Sequence, residues 1–331
     1  MKRPSYVKIV ATLGCCFGLA ATVSSGAAVA SPTLQQLQTS IASSVTLVTP
    51  PSLVHSIPPL AGMNPGDASI SPNRSGCYGA TVKTAIPSNA ATLCAYGKTT
   101  SKTLVLLTGD SQAGMWLPAL DSLGKSRNWR IIFLAKSGCT PWGNPNPPTS
   151  IVFGSVTVAN CESFVANVKK WAASAHLSSV ILAGRAIGKG GFGTTLDPSA
   201  LLASMQTETA AFVATGAKVV VLGPIPSFNE KTTSLMPSTC LAAVRPLTNC
   251  ELAPSALVPQ VELSATRAAA VPGKVGIVDV TPLFCTSEHC ALVVVAPSGS
   301  HLVYYDNHHI NRFYSAWVAT ALGTLLDPAL A

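Results

Sequence analysis

Three side chains of this chain have the types and spacing to break an ester, provided that folding brings them together. A serine hydroxyl is a poor nucleophile unless a base removes its proton, and the base needs a third group to hold its tautomer. Ser111 stands in LLTGDSQAGMWLPALDSLG, residues 106–124, where an apolar run breaks and a helical pattern begins. Asp306 and His309 stand three apart in YYDNHHINRFYSAW, residues 304–317, immediately before a further helical pattern. That spacing lets the carboxylate reach one imidazole nitrogen while the other faces a serine on the first strand's loop. Each segment alone has a plainer reading: Asp110 or Ser111 as the N-cap of a helix starting near Ala113, and Asp-Asn-His-His as a polar surface turn. His308 is the rival base; the Asp-x-x-His spacing favours His309 and leaves His308 facing solvent or substrate. His289 and His301 have no partner pattern and read as surface loop residues.

The elements that must position these groups are legible as an alternation. TLVLLTG (103–109), WRIIFLA (129–135), SSVILAG (178–184), AKVVVLG (217–223) and KVGIVDV (274–280) are short, β-branched and almost continuously apolar, the pattern of parallel strands buried on both faces. Helical spacing joins Phe164, Val168 and Trp171 within residues 161–175, a second helix candidate covers 198–216, and a last one runs over 311–326. Strand and helix repeated five times predict a five-stranded parallel sheet covered on both faces. In such a sheet the active site lies at the carboxyl ends of the strands, where Ser111, Gly138, Arg185 and Pro224 fall.

Composition narrows the setting. With 48% hydrophobic and 10% charged residues in 331, the chain can build a sizeable core and is too weakly charged for disorder. Lys2, Arg3 and Lys8 precede an apolar stretch over about residues 9–23 and a small-x-small site at Ala28-Val29-Ala30, which predicts a secretory signal peptide over 1–30. An uncleaved anchor is the alternative, but the apolar stretch is shorter than the ~20 residues of a spanning helix; a lipoprotein signal at Cys15 or Cys16 would leave a shorter one still. Outside the leader, 18 of the 21 basic residues face 13 acidic ones, a scattered excess that makes no nucleic-acid stripe. Residues 31–100, rich in Ser, Thr, Pro and Ala, predict an extended lead-in to a catalytic domain over 101–331.

Eight cysteines follow the leader, an even count that argues for disulfides in an exported chain. Pairing between sequence neighbours, Cys77 with Cys94, Cys139 with Cys161, Cys240 with Cys250 and Cys285 with Cys290, would staple four loops. The alternative is a metal site at Cys285, His289 and Cys290, which an oxidising compartment and the lack of paired C-x-x-C spacing argue against. No cofactor is expected.

The ordered set CAYG (94–97), LLTGDSQAGMWLPAL (106–120), AKSGCTPW (135–142), VILAGR (180–185), VDVTPLFC (278–285) and YYDNHHIN (304–311), with Cys139 and Cys161, resembles the SGNH hydrolases. More narrowly it resembles the SGNH domain fused to membrane acyltransferases that modify bacterial surface glycans, over roughly residues 77–326. The resemblance implies a flavodoxin-like three-layer α/β/α sandwich, a Ser111, His309, Asp306 triad and acyl transfer through an acyl-serine. It also implies an oxyanion hole built on the backbone N–H groups of Ser111 and Gly138. Two positions depart from the pattern: Gly184-Arg185-Ala186 carries no third-block asparagine, and Gln112 replaces the histidine of GDSH. Arg185 could supply the missing donor, bind an acidic acyl group or glycan, or form a strand-end salt bridge; Gln112 and His308 are further candidates for substrate contact.

The implied activity is that of an exported, monomeric esterase or O-acyltransferase acting on an acylated glycan or glycolipid of the cell envelope. Either a separate membrane acyltransferase supplies the acyl group, or the chain hydrolyses esters itself. The two departures motivate a different class, a catalytically silent glycan-binding or scaffold protein. A lipase or protease is a third reading, for which no G-x-S-x-G elbow is present.

Overall fold

The computed structural model describes residues 30–49, 76–78, 82–143, 151–153, 156–188, 191–192, 196–228, 237–242 and 246–331. The expected leader lies outside these residues except for Ala30, as do residues 50–75 of the lead-in. In chain order the main elements are α1 (Leu34–Ser44), β1 (Ala95–Gly97), β2 (Thr103–Gly109), α2 (Ser111–Ser126), β3 (Trp129–Ala135) and α3 (Val158–Ser174). They continue with β4 (Ser179–Ala183), α4 (Pro198–Val213), β5 (Lys218–Leu222), α5 (Gln260–Ala268) and β6 (Val275–Val278). A hairpin of β7 (Val293–Ala296) and β8 (Gly299–Leu302) then leads to α6 (Arg312–Trp317) and α7 (Ala319–Leu330).

All five expected strands form and pair in parallel, in the order β3-β2-β4-β5-β6. Numbered by sequence this is the 2-1-3-4-5 order of flavodoxin-like folds, whose crevice opens where the chain reverses direction, between the first and third of these strands. Here those are β2 and β4. The sheet has one strand more than expected: β1 pairs antiparallel with β3, from Ala95 opposite Ile132 to Gly97 opposite Arg130. Three residues with Tyr and Gly among them carry no readable alternation, so this edge strand was not legible. Disulfide Cys77–Cys94 sits directly before it.

Alternate strand residues divide the core in two. Val105, Leu107, Ile131, Phe133, Ile181 and Val220 pack under α1, α2, α6 and α7. Leu106, Ile132, Leu134, Val180, Leu182 and Val219 face α3, α4 and α5. The result is the three-layer α/β/α sandwich. All four neighbour disulfides are present: Cys77–Cys94, Cys139–Cys161, Cys240–Cys250 and Cys285–Cys290. With both sulfurs of the last pair bonded to each other, Cys285 and Cys290 are not metal ligands.

Three local expectations need correction. The lead-in is not extended throughout, because α1 forms with a capping box at its start, Thr33 Oγ1 accepting from Gln36 N–H and Gln36 Oε1 from Thr33 N–H. It buries Leu37 and Ile41 completely. The single helix expected over 311–326 is two, divided at Val318. His301 is not a surface residue: it is 5% exposed and its ring stacks on Trp317 with centroids 3.8 Å apart. Its strand packs against α6, a tertiary contact that the isolated segment does not reveal.

Candidate active site

Gly109 ends β2 with φ 145°, a conformation that L side chains rarely adopt, and a Cβ there would stand 1.7 Å from the Ala183 carbonyl oxygen. Only glycine lets the chain turn this sharply beside β4. Asp110 is the N-cap of α2, its Oδ1 accepting from Gln112 N–H at 2.7 Å. Ser111 is thus the first residue of the helix, two positions earlier than expected. Its N–H has no intrahelical acceptor and points out of the positive end of α2. Capping and nucleophile positions are separate residues, one after the other.

The second half of the site is a tight turn between β8 and α6. Asp306 Oδ1 accepts from the N–H groups of His308 (2.8 Å) and His309 (2.7 Å), which fixes the turn. Its Oδ2 then faces His309 Nδ1 at 2.7 Å, and His309 Nε2 stands 2.7 Å from Ser111 Oγ. The structure therefore joins all three expected triad residues in one hydrogen-bonded row. Burial pushes the Asp306 carboxyl up, but the hydrogen bond from His309 and the His309 charge outweigh it and bring it down to about 2.

His308 is half-buried with its ring tilted on that of His309, and its Nδ1 lies 2.5 Å from Asn307 Oδ1. Desolvation holds its pKa down to about 4, so it is neutral near pH 7. Gln112 is buried, and its Nε2 reaches the His308 carbonyl at 3.5 Å. It braces the histidine turn against α2.

Gly138, the other expected oxyanion donor, lies with φ 73° in the turn after β3, closed by Cys139 N–H donating to the Lys136 carbonyl at 3.0 Å. Disulfide Cys139–Cys161 ties this turn to α3. Tyr78 was not anticipated: its hydroxyl lies 2.5 Å from Ser137 Oγ, beside Gly138, and its ring stacks on Phe133. No spacing rule connects Tyr78 to Ser137, since Tyr78 is delivered by the loop that Cys77–Cys94 staples.

After β4 the chain is held by two buried acids. Arg185 N–H donates to Asp110 Oδ2 at 2.8 Å, and Ala186 N–H donates to Glu262 Oε1 at 2.9 Å. The Arg185 side chain is 8% exposed; desolvation lowers its pKa, against the charges of Glu262, Asp110 and Asp306. Glu262 too was missed. A signal existed: it falls in phase with Ala265, Thr266 and Ala269 on the buried stripe of α5, an unusual place for a carboxylate. Asp306, His308 and His309 also form a group whose ligand atoms lie within 4.8 Å of one another, but two of these donors, Asp306 and His309, belong to the triad.

A strand-end serine facing a loop histidine and aspartate on a flavodoxin-like sheet is the layout expected of α/β proteins of ester chemistry. The chain belongs to the SGNH family: residues 76–323 match the SGNH domain (fused to AT3 domains). Among solved structures it is similar to the periplasmic domain of a lipopolysaccharide acetyltransferase from Salmonella ser. Paratyphi A. The two are 14% identical with a TM-score of 0.51, over 76% of this chain and 90% of that one, a likeness of fold. No curated protein matches the chain. Family membership supports chemistry of the acyl-transfer or esterase type. Among the described residues no helix is long and apolar enough to cross a membrane.

Proposed function

We propose that this protein is an exported serine esterase or O-acyltransferase of the cell envelope, working through an acyl ester on Ser111. The reading rests on one observation, the hydrogen-bonded row from Ser111 Oγ through His309 to Asp306. Ser111 Oγ attacks an ester carbonyl while His309 Nε2 takes its proton. His309 then returns that proton to the departing alcohol oxygen, leaving acyl-Ser111. Asp306, ionised, holds the imidazole with Nε2 toward the serine and stabilises the imidazolium. The N–H groups of Ser111 and Gly138, together with Arg185, receive the charge on the tetrahedral oxygen, and each such donor typically contributes about 10²–10³ in rate. Water or a sugar hydroxyl, deprotonated in turn by His309, releases the acyl group.

An acylated glycan or glycolipid is the proposed substrate, with a separate membrane acyltransferase as the acyl source where transfer rather than hydrolysis occurs. Four disulfides and the family's association with membrane acyltransferase domains support an envelope location. The test is hydrolysis of p-nitrophenyl acetate and longer esters by the purified chain, with and without a sugar acceptor. Ser111→Ala and His309→Ala are each expected to lower kcat by at least about 10³-fold. Equal activity in all three proteins would sink the triad. The lack of a third-block asparagine in Gly184-Arg185-Ala186 and the Gln112 departure favour a second reading as a catalytically silent glycan-binding protein. That reading predicts glycan binding without turnover and without labelling of Ser111 by a serine-directed phosphonate.

A further inference from the structure

Residues 184–186 depart from the family pattern by lacking an asparagine, and their backbone is held on both sides. Gly184 has no room for a side chain: a Cβ would lie 2.5 Å from Pro141 Cδ and 3.4 Å from Asp110 Oδ2. The next N–H, of Arg185, is taken by Asp110, and the one after, of Ala186, by Glu262. Two buried carboxyls from different elements thus grip consecutive amides, one on either side of the Arg185 Cα. Arg185 N–H donates at 2.8 Å to Asp110, the residue directly before Ser111, which sets Arg185 beside the nucleophile.

A core helix gains nothing from a carboxyl in its apolar stripe, because removing that group from water is costly unless its partners compensate. Glu262 is 1% exposed, and burial pushes it up to about 8. Its partner is the backbone N–H one residue beyond the single cation beside the triad in this segment. We propose that Glu262 is a positioning residue, which fixes the 184–186 backbone through Ala186 N–H so that the Arg185 guanidinium meets the oxyanion on acyl-Ser111. Arg185 thereby stands in for the donor that a third-block asparagine would supply. The inference rests on the acyl-serine reading of the preceding section.

Steady-state ester hydrolysis by the full chain, with Glu262→Met, Glu262→Gln, Arg185→Met and the double variant Glu262→Met with Arg185→Met, tests it. Methionine keeps the volume of Glu262 and removes the acceptor; glutamine keeps the acceptor. Glu262→Met is expected to lower kcat about tenfold with KM changed by less than about twofold, since the loss is specific to the transition state. Glu262→Gln is expected to recover most of that loss. In the Arg185→Met background, Glu262→Met is expected to cause no further fall, because the group that it aims is gone. Unchanged kcat in Glu262→Met, or an equal fall in both backgrounds, overturns the proposal. Should Glu262→Met fail to fold, Arg185→Met decides alone, as wild-type kcat there leaves Glu262 nothing to position. Phosphonate labelling separates the two levels: a wild-type chain that neither labels nor turns over overturns the acyl-serine reading and this one with it. Normal labelling with an indifferent Glu262→Met overturns this one only.

Discussion

Asp306 is a half-buried carboxyl and Glu251 a buried one, and their surroundings send them opposite ways. Asp306 has two N–H donors and an imidazole, which outweigh burial and hold it near 2. Glu251 is buried with no hydrogen-bond partner on either oxygen among the described residues, and burial pushes it up to about 8. The consequences for stability have opposite sign. Asp306, depressed in the folded state, contributes stability that is present above its unfolded pKa and is lost as pH falls through 2. Glu251, raised in the folded state, contributes stability that is complete below about pH 4.3, its unfolded value, and is lost as pH rises through 8. Glu251→Gln is therefore expected to flatten the decline of the thermal midpoint between pH 5 and 9, leaving the share owed to Glu262. Parallel midpoint-against-pH curves for the variant and the wild type would contradict this.

At the scale of elements, the site depends on two strand ends brought into contact. Gly109 closes β2 against the Ala183 carbonyl of β4, and a methyl group cannot enter a gap of 1.7 Å. Gly109→Ala is expected to destabilise the fold by more than about 3 kcal/mol in urea unfolding, a backbone-strain and overpacking effect beyond the usual range for one substitution. The same elements show what sequence alone could convey. Five parallel strands were legible because each is an almost continuous apolar run, and Ser111, His309 and Asp306 because triad chemistry imposes residue types and a local Asp-x-x-His spacing. β1 was illegible at three residues. α1 hid in a polar stretch because its buried stripe amounts to Leu37 and Ile41 in a Gln- and Ser-rich helix. Tyr78 and Glu262 could not be placed from the triad motifs, since each reaches the site by packing and not by spacing from any catalytic residue.

Over the whole molecule, α1 lies outside the stretch that matches the family, yet it is part of the same core. Ser44 Oγ accepts from Val295 N–H at 2.8 Å, and Leu37 and Ile41 are wholly enclosed under the β7–β8 hairpin and α7. Leu37→Ala is expected to lower unfolding free energy by about 3 kcal/mol through the cavity it leaves. The rate of phosphonate labelling of the folded fraction should not change. A larger loss of labelling than of folded protein would place α1 in the catalytic machinery instead.

The triad has one more property that follows from its layout. Ser111 and His309 are 198 residues apart in sequence, and the hydrogen bond between them forms only when the first βα unit and the last loop have both docked. Covalent capture of Ser111 is thereby a sensor of completed folding. In a urea titration its disappearance should coincide with the loss of the buried Trp116 and Trp142 fluorescence signals, which sit on opposite faces of the sheet. Divergence between the two transitions would reveal a state in which the layers persist while the chain's two ends have parted.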